Sequence, residues 1–234
     1  MRRACAFAVL VVLVAACSST TSSAIDGGCL VTDGGYEAGD AGFLLTPMNP
    51  PHQPEHACTT QQLSDYAQCQ GAKNQSLCKQ FEAGGSSTAC SACMESKASD
   101  ATWGVVVFDQ QAASFNVEGC VDLALGQTAT EKANGGAGSC GDLLHASYEC
   151  QNEADAALCN ACAGDASDCQ QTVLVTACAD QNSAVLDASG PCASLFSDAA
   201  PAAALACFPS TSITDPELQE VDWLMRVGAV FCGP

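Results

Sequence analysis

Basic side chains are scarce in this sequence. Of 234 residues only 7 are Lys or Arg, against 26 Asp or Glu, for a formal net charge of -19. That balance excludes a nucleic-acid binder working through a basic surface, because neutralising phosphates needs Lys and Arg. Charged residues reach only 14% while hydrophobic ones reach 48%, which excludes a chain that is disordered throughout. Aromatic residues make up 6% and there are 3 histidines, so neither a large aromatic core nor a histidine-rich site is available. Phosphate-binding loops of the G-x-x-x-x-G-K-[ST] type and Gly-x-Ser-x-Gly elbows are missing from the sequence. What is abundant is cysteine. The count of 18 is far above cytosolic usage and indicates an oxidising compartment.

Residues 1–16 read as a signal peptide. Arg2 and Arg3 precede an apolar run of eleven residues from Ala4 to Val14, too short for a spanning helix of about 20 residues. The sequence Val14-Ala15-Ala16-Cys17 resembles the bacterial lipobox, which implies cleavage before Cys17 and lipid attachment to its sulfur and amine. Ordinary secretory cleavage after Ala24 is the alternative. Several acyl chains make such an attachment stable. Ser18 after the lipidated cysteine implies, by resemblance to Gram-negative lipoproteins, an outer-membrane destination. Loss of Arg2 and Arg3 leaves five basic residues against the same 26 acids, about -21, so anionic lipid repels the body and attachment must come from the acyl chains.

Residues 17–57 read as the lipidated cysteine and a Ser/Thr/Gly/Pro tether, rich in turn residues and poor in apolar ones. A flexible coil of this length spans about 35 Å. Two Cys-rich helical subdomains are expected beyond it, 58–133 and 134–234, joined at Asn134-Gly135-Gly136-Ala137-Gly138. A weak internal repeat relates them, since Cys58, Leu63, Tyr66, Cys69 and Gln70 resemble Cys140, Leu143, Tyr148, Cys150 and Gln151. A Cys-x2-Cys pair follows each copy, Cys90/Cys93 and Cys159/Cys162. Helices are expected after the capping sequences Thr59–Gln62, Ser139–Asp142 and Thr214–Glu217, with Thr214 as the last cap. The last helix should carry the apolar stripe Leu218, Val221, Leu224, Met225 and Gly228. The β-branched stretch Thr102–Phe108 and Ser114–Val117 predict a small hairpin. The fold class is thus mainly α, a disulfide-stapled helical domain with two weakly related helical subdomains and a β-hairpin.

Setting aside Cys5 in the leader and Cys17 leaves sixteen cysteines: Cys29, Cys58, Cys69, Cys78, Cys90, Cys93, Cys120, Cys140, Cys150, Cys159, Cys162, Cys169, Cys178, Cys192, Cys207 and Cys232. Eight disulfides are possible if Cys29 takes part, and connectivity stays open. Each contributes about 2–4 kcal/mol by restricting the unfolded chain, which offsets the modest aromatic inventory.

Chemistry has few candidates. The Cys-x2-Cys pairs suit thiol–disulfide exchange by spacing, but they lie in acidic, Ala-rich surroundings that do not favour a thiolate, so structural disulfides are expected. His52-Gln53-Pro54-Glu55-His56 matches the H-x-x-E-H pattern of some metalloproteases, yet Pro50, Pro51 and Pro54 oppose the helix that zinc binding there requires. His145 with Asp142 one turn earlier is the remaining acid–base candidate, and a polar surface histidine is the simpler reading. The tether acids Asp26, Asp33, Glu37 and Asp40 lack the spacing of a calcium loop. No catalytic, cofactor or metal residue is assigned and no cofactor is expected.

The combination of Cys-x2-Cys, Trp103-Gly104, Asn116-Val117-Glu118-Gly119-Cys120, a second cysteine block and the terminal Phe231-Cys232-Gly233-Pro234 resembles cysteine-rich exported lipoproteins of myxobacterial type. The resemblance covers Cys58 to Pro234 and implies no activity. The expectation is an acidic, lipid-anchored envelope protein with a binding or structural role. Its partners would be the membrane through its lipid and a protein or glycan, with an exposed apolar patch around Trp103, and no nucleic acid. An exported hydrolase using His145 and a thiol–disulfide exchange protein are the alternatives.

Overall fold

Reciprocal caps start two of the helices where the sequence places them. In the computed structural model, which describes residues 48–53, 56–83, 87–109, 113–127, 138–155, 159 and 166–234, Thr59 caps α1 (Thr60–Gln70). Its hydroxyl accepts from the Gln62 amide and the Gln62 side chain accepts from the Thr59 amide, closing a capping box. Ser139 and Asp142 do the same for α5 (Cys140–Ala154): the Asp142 carboxylate accepts from the Ser139 amide and the Ser139 hydroxyl from the Asp142 amide. The last helix, α9 (Pro216–Cys232), corrects one expectation. Its cap is Asp215, not Thr214, with the Asp215 carboxylate accepting from the Glu217 and Leu218 amides. Pro216 takes the first helical position, where its missing N–H costs nothing.

Between these lie α2 (Gln75–Ala83), α3 (Ser87–Met94), α4 (Val117–Ala124), α6 (Ala166–Val175), α7 (Ala179–Leu186) and the short α8 (Ala202–Ala206). The molecule is mainly α with a small three-stranded sheet. Strands β2 (Val106–Phe108) and β3 (Ala113–Phe115) pair antiparallel, Val106 opposite Phe115 and Phe108 opposite Ala113. This is the hairpin read from the sequence. Strand β1 (Glu95–Lys97) adds to β2 in parallel and was not foreseen, because the three residues Glu-Ser-Lys carry no strand pattern.

Two compact units divide the chain, and they do not follow the Gly-rich joint. The larger comprises Pro47–His145 and Val185–Pro234. Of the smaller, the described residues are 146–155, 159 and 166–184.

In the larger unit α9 packs on α1, α3, α4 and α8. Its buried face is Trp223, Leu224, Val227, Gly228, Phe231 and Cys232. Of the expected stripe, Leu224 and Gly228 are buried and Val221 and Met225 pack partly buried against the core, while Leu218 is 61% exposed. The indole decides the rotation. Trp223 donates from Nε1 to the Cys207 carbonyl at 2.8 Å and meets Phe115 edge-on at 4.5 Å, so the largest apolar group is buried with its polar atom satisfied. Gly228 lets α9 approach closely: a Cβ there would meet Leu63 and Met94 side-chain atoms at 2.9–3.1 Å. Tyr66, Met94, Val105 and Val121 are fully buried around it. The Tyr66 hydroxyl donates to Glu95, and burial beside that carboxylate pushes the phenol far above its ordinary range. In the smaller unit the described core is Cys150, Ala154, Val173, Ala177 and Cys178.

The end of the stretch read as tether is bonded to this body. The Trp103 amide donates to the Pro50 carbonyl and the His52 amide to the Trp103 carbonyl. The Cys58 amide donates to the Cys232 carbonyl. Cys5, Cys17, Cys29, Cys162, the tether acids Asp26, Asp33, Glu37 and Asp40, and the Gly-rich joint before Gly138 lie outside the described residues.

Seven disulfides close the described chain. In the larger unit they are Cys58–Cys90, Cys69–Cys78, Cys93–Cys232, Cys120–Cys207 and Cys140–Cys192. In the smaller they are Cys150–Cys178 and Cys159–Cys169. This density of bridges is consistent with an oxidising, exported location. No helix among the described residues is long and apolar enough to cross a membrane.

Candidate functional site

The densest polar cluster joins α4 to the first turn of α5. Asp122 on α4 is fully buried, and its carboxylate accepts from the Ser139 hydroxyl and from the Gly141 amide, each at 2.6 Å. Gln127, just past α4, accepts from the Cys140 amide at 2.7 Å and donates to the Pro191 carbonyl at 2.8 Å. The amides of Ser139, Cys140, Gly141 and Asp142 therefore all find side-chain acceptors, which answers the shortage of partners at any helix start. Gly141 makes the approach possible. A Cβ on it would lie 2.5 Å from the Glu118 carbonyl and 2.6 Å from the Asp122 carboxylate.

Electrostatics at this junction run against the charge that sits there. Burial raises the Asp122 carboxyl to about 6, and Asp142 and Glu118 push the same way, while the bonds from Ser139 and Gly141 pull down. The Glu118 carboxylate lies 3.7 Å from His145 Nδ1, both side chains 15% exposed. His145 is therefore neither isolated nor partnered as the sequence implied. Its near acid is Glu118 on α4, and Asp142 instead turns back to cap its own helix. An Asp–His–nucleophile relay would need a hydroxyl at the imidazole, but the nearby Ser139 hydroxyl is buried and donates to Asp122.

The Cys-x2-Cys pair Cys90/Cys93 is not a bridge within itself. Cys90 bonds to Cys58 and Cys93 to Cys232, and both sulfurs are buried. Exchange chemistry at this motif needs two neighbouring sulfurs that bond to each other, so the motif works here as two separate anchors. In the second pair Cys159 bonds to Cys169.

The two histidines of the H-x-x-E-H match are tied to different carbonyls. His52 Nδ1 bonds the Cys93 carbonyl at 3.1 Å and His56 Nδ1 the Gly233 carbonyl at 2.8 Å. His56 sits at φ 48°, which no helix presenting both imidazoles to one ion would contain. No group of three or more potential metal ligands occurs among the described residues.

A second polar feature lies beside α8 and α9. Arg226 donates from Nε to Asp222 and from Nη1 to the Ala206 and Phe208 carbonyls, while its Nη2 is buried without a hydrogen-bond partner. It borders an open depression of about 470 Å³ lined also by Leu205, Phe208, Ser210, Thr211 and Ser212. No sequence motif marks this place. The available signal was an Arg in an acidic chain, the one Arg among the described residues.

Trp103 does not head an exposed patch. It is half-buried and its indole donates to the Ala98 carbonyl. Large exposed apolar side chains among the described residues include Leu205, Leu218 and Val175 instead.

No family model matches this chain, and neither the curated proteins nor the solved structures contain a match.

Proposed function

We propose that this protein is a lipid-anchored component of a bacterial cell envelope, acylated at Cys17 and carrying a disulfide-stapled helical body in a binding or structural role. Outer-membrane residence, with attachment supplied by the acyl chains against an acidic body, is part of the same reading. The observation that carries it is the disposition of the cysteines. Fourteen of them close seven bridges distributed over both compact units, and in the sequence Cys17 follows an apolar leader directly. The groups that an enzyme would recruit are engaged elsewhere: Ser139 with Asp122, His145 with Glu118, His52 and His56 with backbone carbonyls. A protein or glycan partner would meet the Leu205–Ser212 depression, where hydroxyls, Phe208 and the Asp222–Arg226 pair converge.

Mass spectrometry of the mature protein from a Gram-negative host tests the anchoring. The expected product begins at Cys17, carries diacylglycerol and an amide-linked acyl chain, and becomes soluble on Cys17→Ser. A mature chain beginning after Ala24 and free of lipid would overturn it.

A further inference from the structure

The junction of α4 and α5 holds a buried acid that no chemistry claims. Asp122 is 0% exposed, and its two oxygens hold the Ser139 hydroxyl and the Gly141 amide. These bonds fasten the start of α5 to α4 on either side of residues 128–137. Two disulfides anchor the neighbouring residues: Cys120–Cys207 beside Asp122 and Cys140–Cys192 beside Gly141. An opening of the Asp122 contacts therefore occurs between two helices that are each covalently held next to the contact.

We propose that Asp122 is a proton-operated latch on the first turn of α5, held more tightly at mildly acidic pH than at neutral pH.

The charged groups around it give the direction. From α4 comes Glu118, and from α5 come Asp142 and His145, the last set against Glu118. Helix α8 has the sequence AAALA and brings no charge. Helix α9 brings Glu217, Glu220, Asp222 and Arg226, of which the last two bond to each other. Among the described residues, the charges acting on Asp122 are those of Asp142 and Glu118, both negative, and none of its hydrogen bonds comes from a cation. Ionised, the closed latch buries an anion among like charges. Opening returns that anion to water, which favours it.

Protonation removes the conflict and keeps the geometry. A carboxylic acid at Asp122 still accepts from the Gly141 amide through one oxygen. Its O–H can donate to the Ser139 oxygen, which reverses that bond and frees the Ser139 hydroxyl proton. Both Asp122 contacts are kept and the buried charge disappears. The closed form therefore binds the proton more tightly than the open form, whose solvated carboxyl has its ordinary affinity. By linkage, stability of the closed turn rises as pH falls through the range between the two affinities. With the closed carboxyl near 6, closing should strengthen by about tenfold between pH 8 and pH 5. An exported protein meets such pH changes directly.

Amide hydrogen exchange by NMR on the full, disulfide-bonded chain tests this, read as protection factors corrected for intrinsic rates. Protection at Gly141 should rise about tenfold from pH 8 to pH 5. Asp122→Asn mimics the protonated carboxyl, since its amide oxygen accepts and its NH2 donates. It should be as protected at pH 8 as the natural chain is at pH 5, with no pH dependence. Dependence that persists in Asp122→Asn would assign it to another group, His145 foremost, and overturn the proposal. A second readout needs no variant: the Asp122 13Cγ titration. A midpoint near 4 would overturn the latch, and so would a midpoint near 6 with flat protection at Gly141.

Discussion

The two compact units reach order by different means. The larger packs Tyr66, Met94 and Val121 in one cluster with Trp223, Leu224 and Phe231 of α9, and four of its five bridges lie in that same buried cluster. In the smaller, the buried cluster among the described residues is Cys150, Ala154, Val173, Ala177 and Cys178, with Cys169 and Leu174 also buried. Alanine buries little apolar area and each buried CH2 contributes about 0.8 kcal/mol. The first unit is a core reinforced by bridges. Among the described residues of the second, two bridges accompany a small apolar cluster.

Substitutions can break that contrast. The largest loss is expected from Trp223→Ala, which empties the α9 interface and leaves the Cys207 carbonyl without its donor. Denaturant unfolding should show about 3–5 kcal/mol of destabilisation across the larger unit, and a loss under 1 kcal/mol would contradict the account of its core. Replacing Cys150 and Cys178 together by alanine should cost about 3–4 kcal/mol from a bridge of sequence separation 28. Hydrogen exchange should then rise within residues 146–184 while Tyr66 and Phe231 amides stay protected. Gly141→Ala forces the Glu118 carbonyl and Asp122 apart and is expected to cost about 1–3 kcal/mol. The smallest effect is Thr59→Ala, about 1 kcal/mol from the lost capping bond of α1; thermal melts of the two variants rank them.

Much of the helical frame was legible in local sequence. Thr59–Gln62 and Ser139–Asp142 mark helix starts because a cap and its reciprocal partner are three residues apart, and both boxes form. The β2–β3 pairing followed from β-branched runs. What failed were properties set by distant residues. The burial of Trp223 against the Cys207 carbonyl, sixteen residues away, was not legible in the stripe, of which Leu224 and Gly228 are buried and Leu218 alone is exposed. The weak repeat relates Cys69 to Cys150, but Cys69 pairs 9 positions on to Cys78 while Cys150 pairs 28 positions on to Cys178. Spacing carries no information about which sulfurs meet. His145 illustrates the same limit: Asp142 was near in sequence, whereas Glu118, 27 positions away, is the acid beside it.

Disulfide mapping of the exported protein, by mass spectrometry of non-reduced proteolytic peptides, tests the central claim most directly. The account predicts Cys90 linked to Cys58 and Cys93 linked to Cys232, and Cys150 linked to Cys178. None of these should react with alkylating reagent before reduction. A Cys90–Cys93 bridge, or free thiol at any of these positions, would contradict it.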